Sequence, residues 1–281
     1  MKTGDKLKQQ QELEERINKR VQELKTRKGY YYFLSNPGYP ENEKEKTKNQ
    51  ILNYTELFET KLPVIKTIIR SLKKNYVPHI WEQNAITAVY LLIGKAYGNL
   101  ETMISLAKQG RNFEIIELAR SGHESLDLAF LFLEPKQEER LKNWFKGKII
   151  KNRTAREALH KVVNSEGVNS TSLPMYELKT YIYDIYSSYT HSSYAALLDA
   201  VDVFHENFDY NGISGFHYTL KNLDIAINNL AVNLLLELKN VFTKYKNLES
   251  INKVDRLLEQ MGNYKASPEE INEILERYKK G

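Results

Sequence analysis

Apolar residues recur along this chain at intervals of three and four, and no stretch alternates apolar with polar residues between turn signals. The pattern therefore predicts helices and no strands, an all-α fold. Helices are expected at about 44–75, with Pro63 kinking or dividing the first, then at 80–108, 112–133, 136–164, 173–204 with a break, 216–246, 249–261 and 268–280. Gly110 is a stop signal. Glu134-Pro135 is another, because the proline ring disfavours helical backbone at the residue before it. Ser267-Pro268-Glu269-Glu270 has the form of a capping box with proline in the first turn.

The segment 216–246 carries two apolar stripes. Leu220, Leu223, Ile227, Leu230, Leu234, Leu238 and Val241 form one, and Ile225, Val232 and Leu236 the other. A helix apolar on two sides is expected to be central, with Asn222, Asn229 and Asn233 between the stripes needing hydrogen-bond partners. Helix lengths and short connections predict a bundle of long antiparallel helices over 41–247. Residues 248–281 would form a C-terminal helical hairpin, and residues 1–40 a charged helix followed by an aromatic docking linker. The N-terminal stripe of Leu13, Ile17, Val21 and Leu24 is narrow and needs a partner surface, either the body of the chain or a second copy or partner protein.

Composition narrows the classes. With 41% apolar residues in 281, the chain can fill a core. Its longest apolar run, Ala85 to Gly94, is about half of a bilayer span, so no membrane segment is expected. The basic residues of MKTGDKLKQQQ have no apolar stretch behind them, which predicts no secretory leader and a cytoplasmic location. Zero cysteines exclude disulfides, thiolate metal sites and cysteine nucleophiles. Residues 1–30 hold nine Lys or Arg against five acids, so most of the net charge of +5 sits at the N-terminus and the body is nearly neutral.

The chemistry is sparse and central. In Arg111 to Leu133, one broad face collects Ile115, Leu118, Ala119, Leu126, Ala129, Phe130 and Leu133. The opposite side collects Glu117, Arg120, Glu124 and Asp127, with His123 at its edge. Arg120 pairs with Glu124 at i+4, which by itself describes a surface ladder. Phe113 and Leu131 bracket that stripe, however, and favour partial burial. The helical phase changes within Tyr186 to Leu198, where four serines and a threonine surround His191, so His191 is expected at a kink or helix junction. If two helices bring Arg120, Glu124 and His191 together, arginine can bind a phosphate, histidine can move protons near neutral pH, and glutamate can orient the arginine or act as base. The same trio could bind an anion without chemistry, or fix helix register as an ion network. A di-metal carboxylate site needs two Glu-xx-His elements; Glu157-xx-His160 stands alone, and no glycine-rich phosphate loop occurs, so no metal or cofactor is expected.

An Arg-xxx-Glu pair in a hydrophobic helix, then Pro135, then a Glu-Glu-Arg helix, and later Tyr-Ser-x-Tyr-x-His-Ser, resembles a group of bacterial helical domains of unknown function, loosely similar to HEPN proteins. The resemblance covers about residues 80–240. It implies RNA as partner, a toxin or antiviral-defence role, and ribonuclease chemistry without a metal, with Arg120, Glu124 and His191 as candidate catalytic residues. The HEPN spacing of arginine and histidine also occurs at Arg153 and His160, which their flanking position marks as surface residues. A non-catalytic helical binding or scaffold protein, with a structural Arg/Glu/His cluster, is the competing expectation.

Overall fold

A computed structural model describes Glu15, residues 39–151 and 153–157, Tyr183, residues 201–202 and 207–208, and residues 216–261. The fold is all-α. Five long helices carry it: α1 (Tyr39–Tyr76), α2 (Ala85–Lys108), α3 (Asn112–Leu133), α5 (Phe216–Lys244) and α6 (Leu248–Gln260), with the short α4 (Glu138–Phe145) between α3 and α5. No helix among the described residues is long and apolar enough to cross a membrane.

Local chemistry sets the boundaries. Asn84 caps α2 by accepting from the Thr87 amide at 2.9 Å, so α2 starts at residue 85, and residues 80–84 form a turn where helix was expected. After α2, Gly110 takes φ +72, and the Gly110 and Arg111 amides donate back to Ala107 and Leu106. This left-handed cap turns the chain sharply into α3. At the end of α3, Glu134 is extended before Pro135, as the proline requires. Pro63 lies inside a continuous α1, so it does not divide the helix.

Two expectations are corrected. The helix predicted over 136–164 stops at Phe145, where Gly147 adopts φ +79, and resumes over 153–157. The absence of strands also fails in one small place: Val201–Asp202 (β1) pairs antiparallel with Asn207–Phe208 (β2), and β1 lies within the span expected to be helical to 204. Two residues per strand give too short an alternation to read as a pattern.

The core is one cluster shared by α1, α2, α3, α5 and α6. Neighbours in sequence run antiparallel. Lys108 and Lys66 of α2 and α1 pair with Glu59 and Glu101, and Lys239 of α5 bonds Asp255 of α6 at 2.6 Å. Helices α1, α3 and α5, in contrast, share one direction. Tyr54 lies beside Asp224 near the start of α5, whereas Tyr76 stacks on Tyr245 just past its end. Gly122 of α3 faces Leu230, and Lys244 donates to the Leu133 carbonyl.

Helix α5 packs on α1, α2, α3 and α6, which is the central position expected for it. Its first stripe is buried from Leu223 to Val241. Its second is not the one expected: Leu236 is exposed and Val232 half-buried, while Ala231, Leu235 and Phe242 are sealed. Gly122 lets α3 lie close against α5, because a Cβ there would meet the Leu230 methyls at 2.7 Å.

Buried phenols add a pH dependence. Tyr97 donates to the Glu101 carboxylate at 3.3 Å, and desolvation, then that carboxylate, push its pKa up to about 12. Half-buried Tyr54 and the more exposed Tyr245 are raised in the same direction, chiefly by partial desolvation. A phenol with a raised folded pKa contributes stability that is complete below its unfolded value near 10 and is lost as pH rises toward 12. Stability should therefore fall with pH between about 10 and 12, and Tyr97→Phe should flatten that fall in urea melts taken across the window.

Candidate functional site

The site expected in the sequence lies on α3. From Glu114 to Glu134 no residue of this helix is exposed; every one is buried or half-buried. One face packs on α2, with the Asn99 amide donating to the Leu118 carbonyl at 3.1 Å, and a second packs on α5 at Gly122. The polar stripe is thus partly covered, as its apolar brackets predicted; Leu131, one of them, is fully buried.

Arg120 and Glu124 meet as expected. Arg120 Nε donates to Glu124 Oε1 at 3.0 Å, with the arginine side chain 18% exposed and the glutamate 35%. The contact uses one corner of the guanidinium. Nη1 is buried with no hydrogen-bond acceptor. A buried donor left unmatched costs about 1–3 kcal/mol, so this nitrogen is a place where an incoming oxygen would add stability. Arginine can present two parallel N–H groups to a phosphate or carboxylate, and its charge persists at all working pH values. Glu117, half-buried on the same face, is available only as an acceptor.

The sequence understated two residues. His123 and Asp127, one helical turn apart, are buried at 8% and 7% exposure, and Ser125 is buried with its hydroxyl donating to the Ser121 carbonyl at 2.8 Å. The sequence places His123 at the edge of the polar side and Asp127 within it. At about 100° per residue that margin is also the flank of the broad apolar face, and α3 is covered widely enough to take it in.

His191 lies outside the described residues, as does His160, so the convergence of His191 with Arg120 rests on the sequence. Arg153 is 83% exposed and bonds Glu157 at 2.8 Å, which puts it at the surface, as its position on the flank of its segment predicts. Arg156 lies over the ring of buried Tyr183 at 4.3 Å, so the chain after α4 is anchored by a cation-π contact. On α5, the Asn233 amide donates to Asn229 Oδ1 at 2.6 Å, which accounts for two of the asparagines between its stripes. The side chain of Asn222 and the N-terminal stripe from Leu13 to Leu24 lie outside the described residues. No protein-family model, curated protein or solved structure matches the chain.

Proposed function

We propose that the chain is a HEPN-like protein that acts on RNA as a metal-independent ribonuclease, with a toxin or antiviral-defence role. Arg120 binds phosphate, Glu124 orients the guanidinium, and His191 moves the proton. The observation that carries the reading is the state of Arg120. Its guanidinium is held by a carboxylate at one nitrogen, sheltered from bulk water, and short of an acceptor at Nη1. Sheltered donors of this kind stabilise developing charge on a phosphate more strongly than solvated ones.

RNA can be cleaved without a metal when a base takes the 2′-hydroxyl proton, the freed oxygen attacks the adjacent phosphorus, and the 5′-oxygen leaves with a proton from an acid. Histidine can serve at either proton step near neutral pH, while arginine counters the charge on the non-bridging oxygens. The test is total RNA incubated with the full chain in excess chelator. Cleavage that His191→Ala abolishes supports the proposal. Absence of both cleavage and binding, or cleavage unchanged by His191→Ala, removes it.

The second reading is a helical binding or scaffold protein whose polar centre is structural. It is favoured by the cover over α3, where no residue from Glu114 to Leu133 is exposed, since a sheltered ion pair often serves packing alone.

A further inference from the structure

Because α1, α3 and α5 run in one direction, their C-terminal ends meet at one end of the bundle. Contacts tie this end together: Tyr245 stacks on Tyr76 at 4.4 Å, Asn247 bonds the Tyr76 hydroxyl at 3.0 Å, Lys244 reaches the Leu133 carbonyl, and Trp144 of α4 packs on Phe132 at 5.5 Å. Two features of this end are unexplained by the fold. The first is Trp81, 75% exposed in the turn after α1, with the His79 ring stacked on it at 5.0 Å and 16°. The second is charge. Residues 134–151 hold six Lys or Arg against three Glu, and Lys74, Lys136, Lys146, Lys148 and Lys246 are all exposed. Of the acids at this end, Glu82 accepts from Asn84 and Glu249 from Lys253.

Lysine in the last turn of a helix complements its dipole, which accounts for Lys73, Lys74 and Lys244. It accounts neither for the lysines beyond the helix ends nor for an exposed indole. Basic side chains around an exposed, flat aromatic are what single-stranded nucleic acid recognises: bases stack on the ring and phosphates meet the ammonium groups. We propose that this end of the bundle binds a single-stranded nucleic acid, a base stacking on Trp81 beside His79 and the flanking phosphates contacting Lys146, Lys148 and their neighbours. The surface is separate from Arg120, and the inference stands whether or not the chain cleaves RNA.

The test uses the full chain and a labelled single strand of about 12 nucleotides, read by fluorescence anisotropy across a salt series. Trp81→Ala should weaken binding roughly tenfold, within the range for loss of one stacked base. Replacing Lys146 and Lys148 by Gln should flatten the slope of log K against log salt by about 1.4, at about 0.7 per single-strand phosphate contact. Trp81 emission should change on binding; Trp144 packs on Phe132, so subtracting a Trp81→Phe variant isolates that signal. Lys48→Gln, an exposed lysine toward the other end of α1, should bind the strand as the parent does. The proposal is overturned by absence of binding, by unchanged affinity in Trp81→Ala, or by displacement with polyglutamate as effective as with unlabelled strand, which would assign the end to acidic proteins. Loss of binding in Arg120→Ala alone would move the site to α3. Binding that depends on Trp81 in a chain that cleaves nothing upholds this inference while removing the ribonuclease reading.

Discussion

Phe242→Ala should destabilise the bundle by about 3–5 kcal/mol, seen as a lower urea midpoint at unchanged slope. Phe242 is fully buried near the end of α5, and its ring lies 6.4 Å from that of Tyr76 on α1. Truncation leaves a space the size of a ring where two parallel helices meet. Neither helix can close it easily: α1 is fixed by the Tyr76–Tyr245 stack, and α5 by its packing on α2, α3 and α6. Leu248→Ala is the matched control. At 72% exposure that residue gives up little on truncation, and a change within about 0.5 kcal/mol is expected. A small effect from Phe242→Ala would mean that the α1–α5 junction is looser than its geometry implies.

On the proposed ribonuclease reading, Arg120→Ala should lower RNA cleavage by about 10²–10³-fold, the usual loss when one positioned charge donor to a reacting group is removed. Its cost to stability should stay near 1 kcal/mol, since Glu124 is 35% exposed and regains water when its partner goes. Arg120→Lys keeps the charge and loses the planar fork, so it should recover stability but little activity. If α3 is only a structural element, the outcome reverses: the cleavage effect vanishes and the melt shifts. A double-mutant cycle with Glu124→Gln separates the pair's coupling from the rest of the site.

Several features were legible because they are local. Gly110 and Pro135 bound α3 where the sequence put its ends, since a left-handed cap and a pre-proline restriction act within two or three residues. The Arg120–Glu124 pair follows from helical spacing alone. The expected cover over its stripe follows from Phe113 and Leu131, apolar residues on a polar side; Leu131 is fully buried, and the side chain of Phe113 lies outside the described residues. Other features needed the third dimension. Leu235 and Phe242 are sealed while Leu236 is exposed, because the line of approach of neighbouring helices, rather than the hydrophobicity of α5, chooses which apolar residues are covered. Trp81 lay inside a span read as helix, and a turn there brings an indole to the surface.

The sequence by itself determined the helical class, the two stops that frame α3 and the pairing of Arg120 with Glu124, because periodicity, caps and i+4 contacts are short-range. Only the tertiary structure decided that α1, α3 and α5 are parallel, that no residue of α3 from Glu114 to Leu133 is fully exposed, and that lysines distant in sequence gather with an exposed tryptophan at one end. Helix direction depends on how far a connection carries the chain, and burial depends on every neighbour at once; neither is written in any single segment.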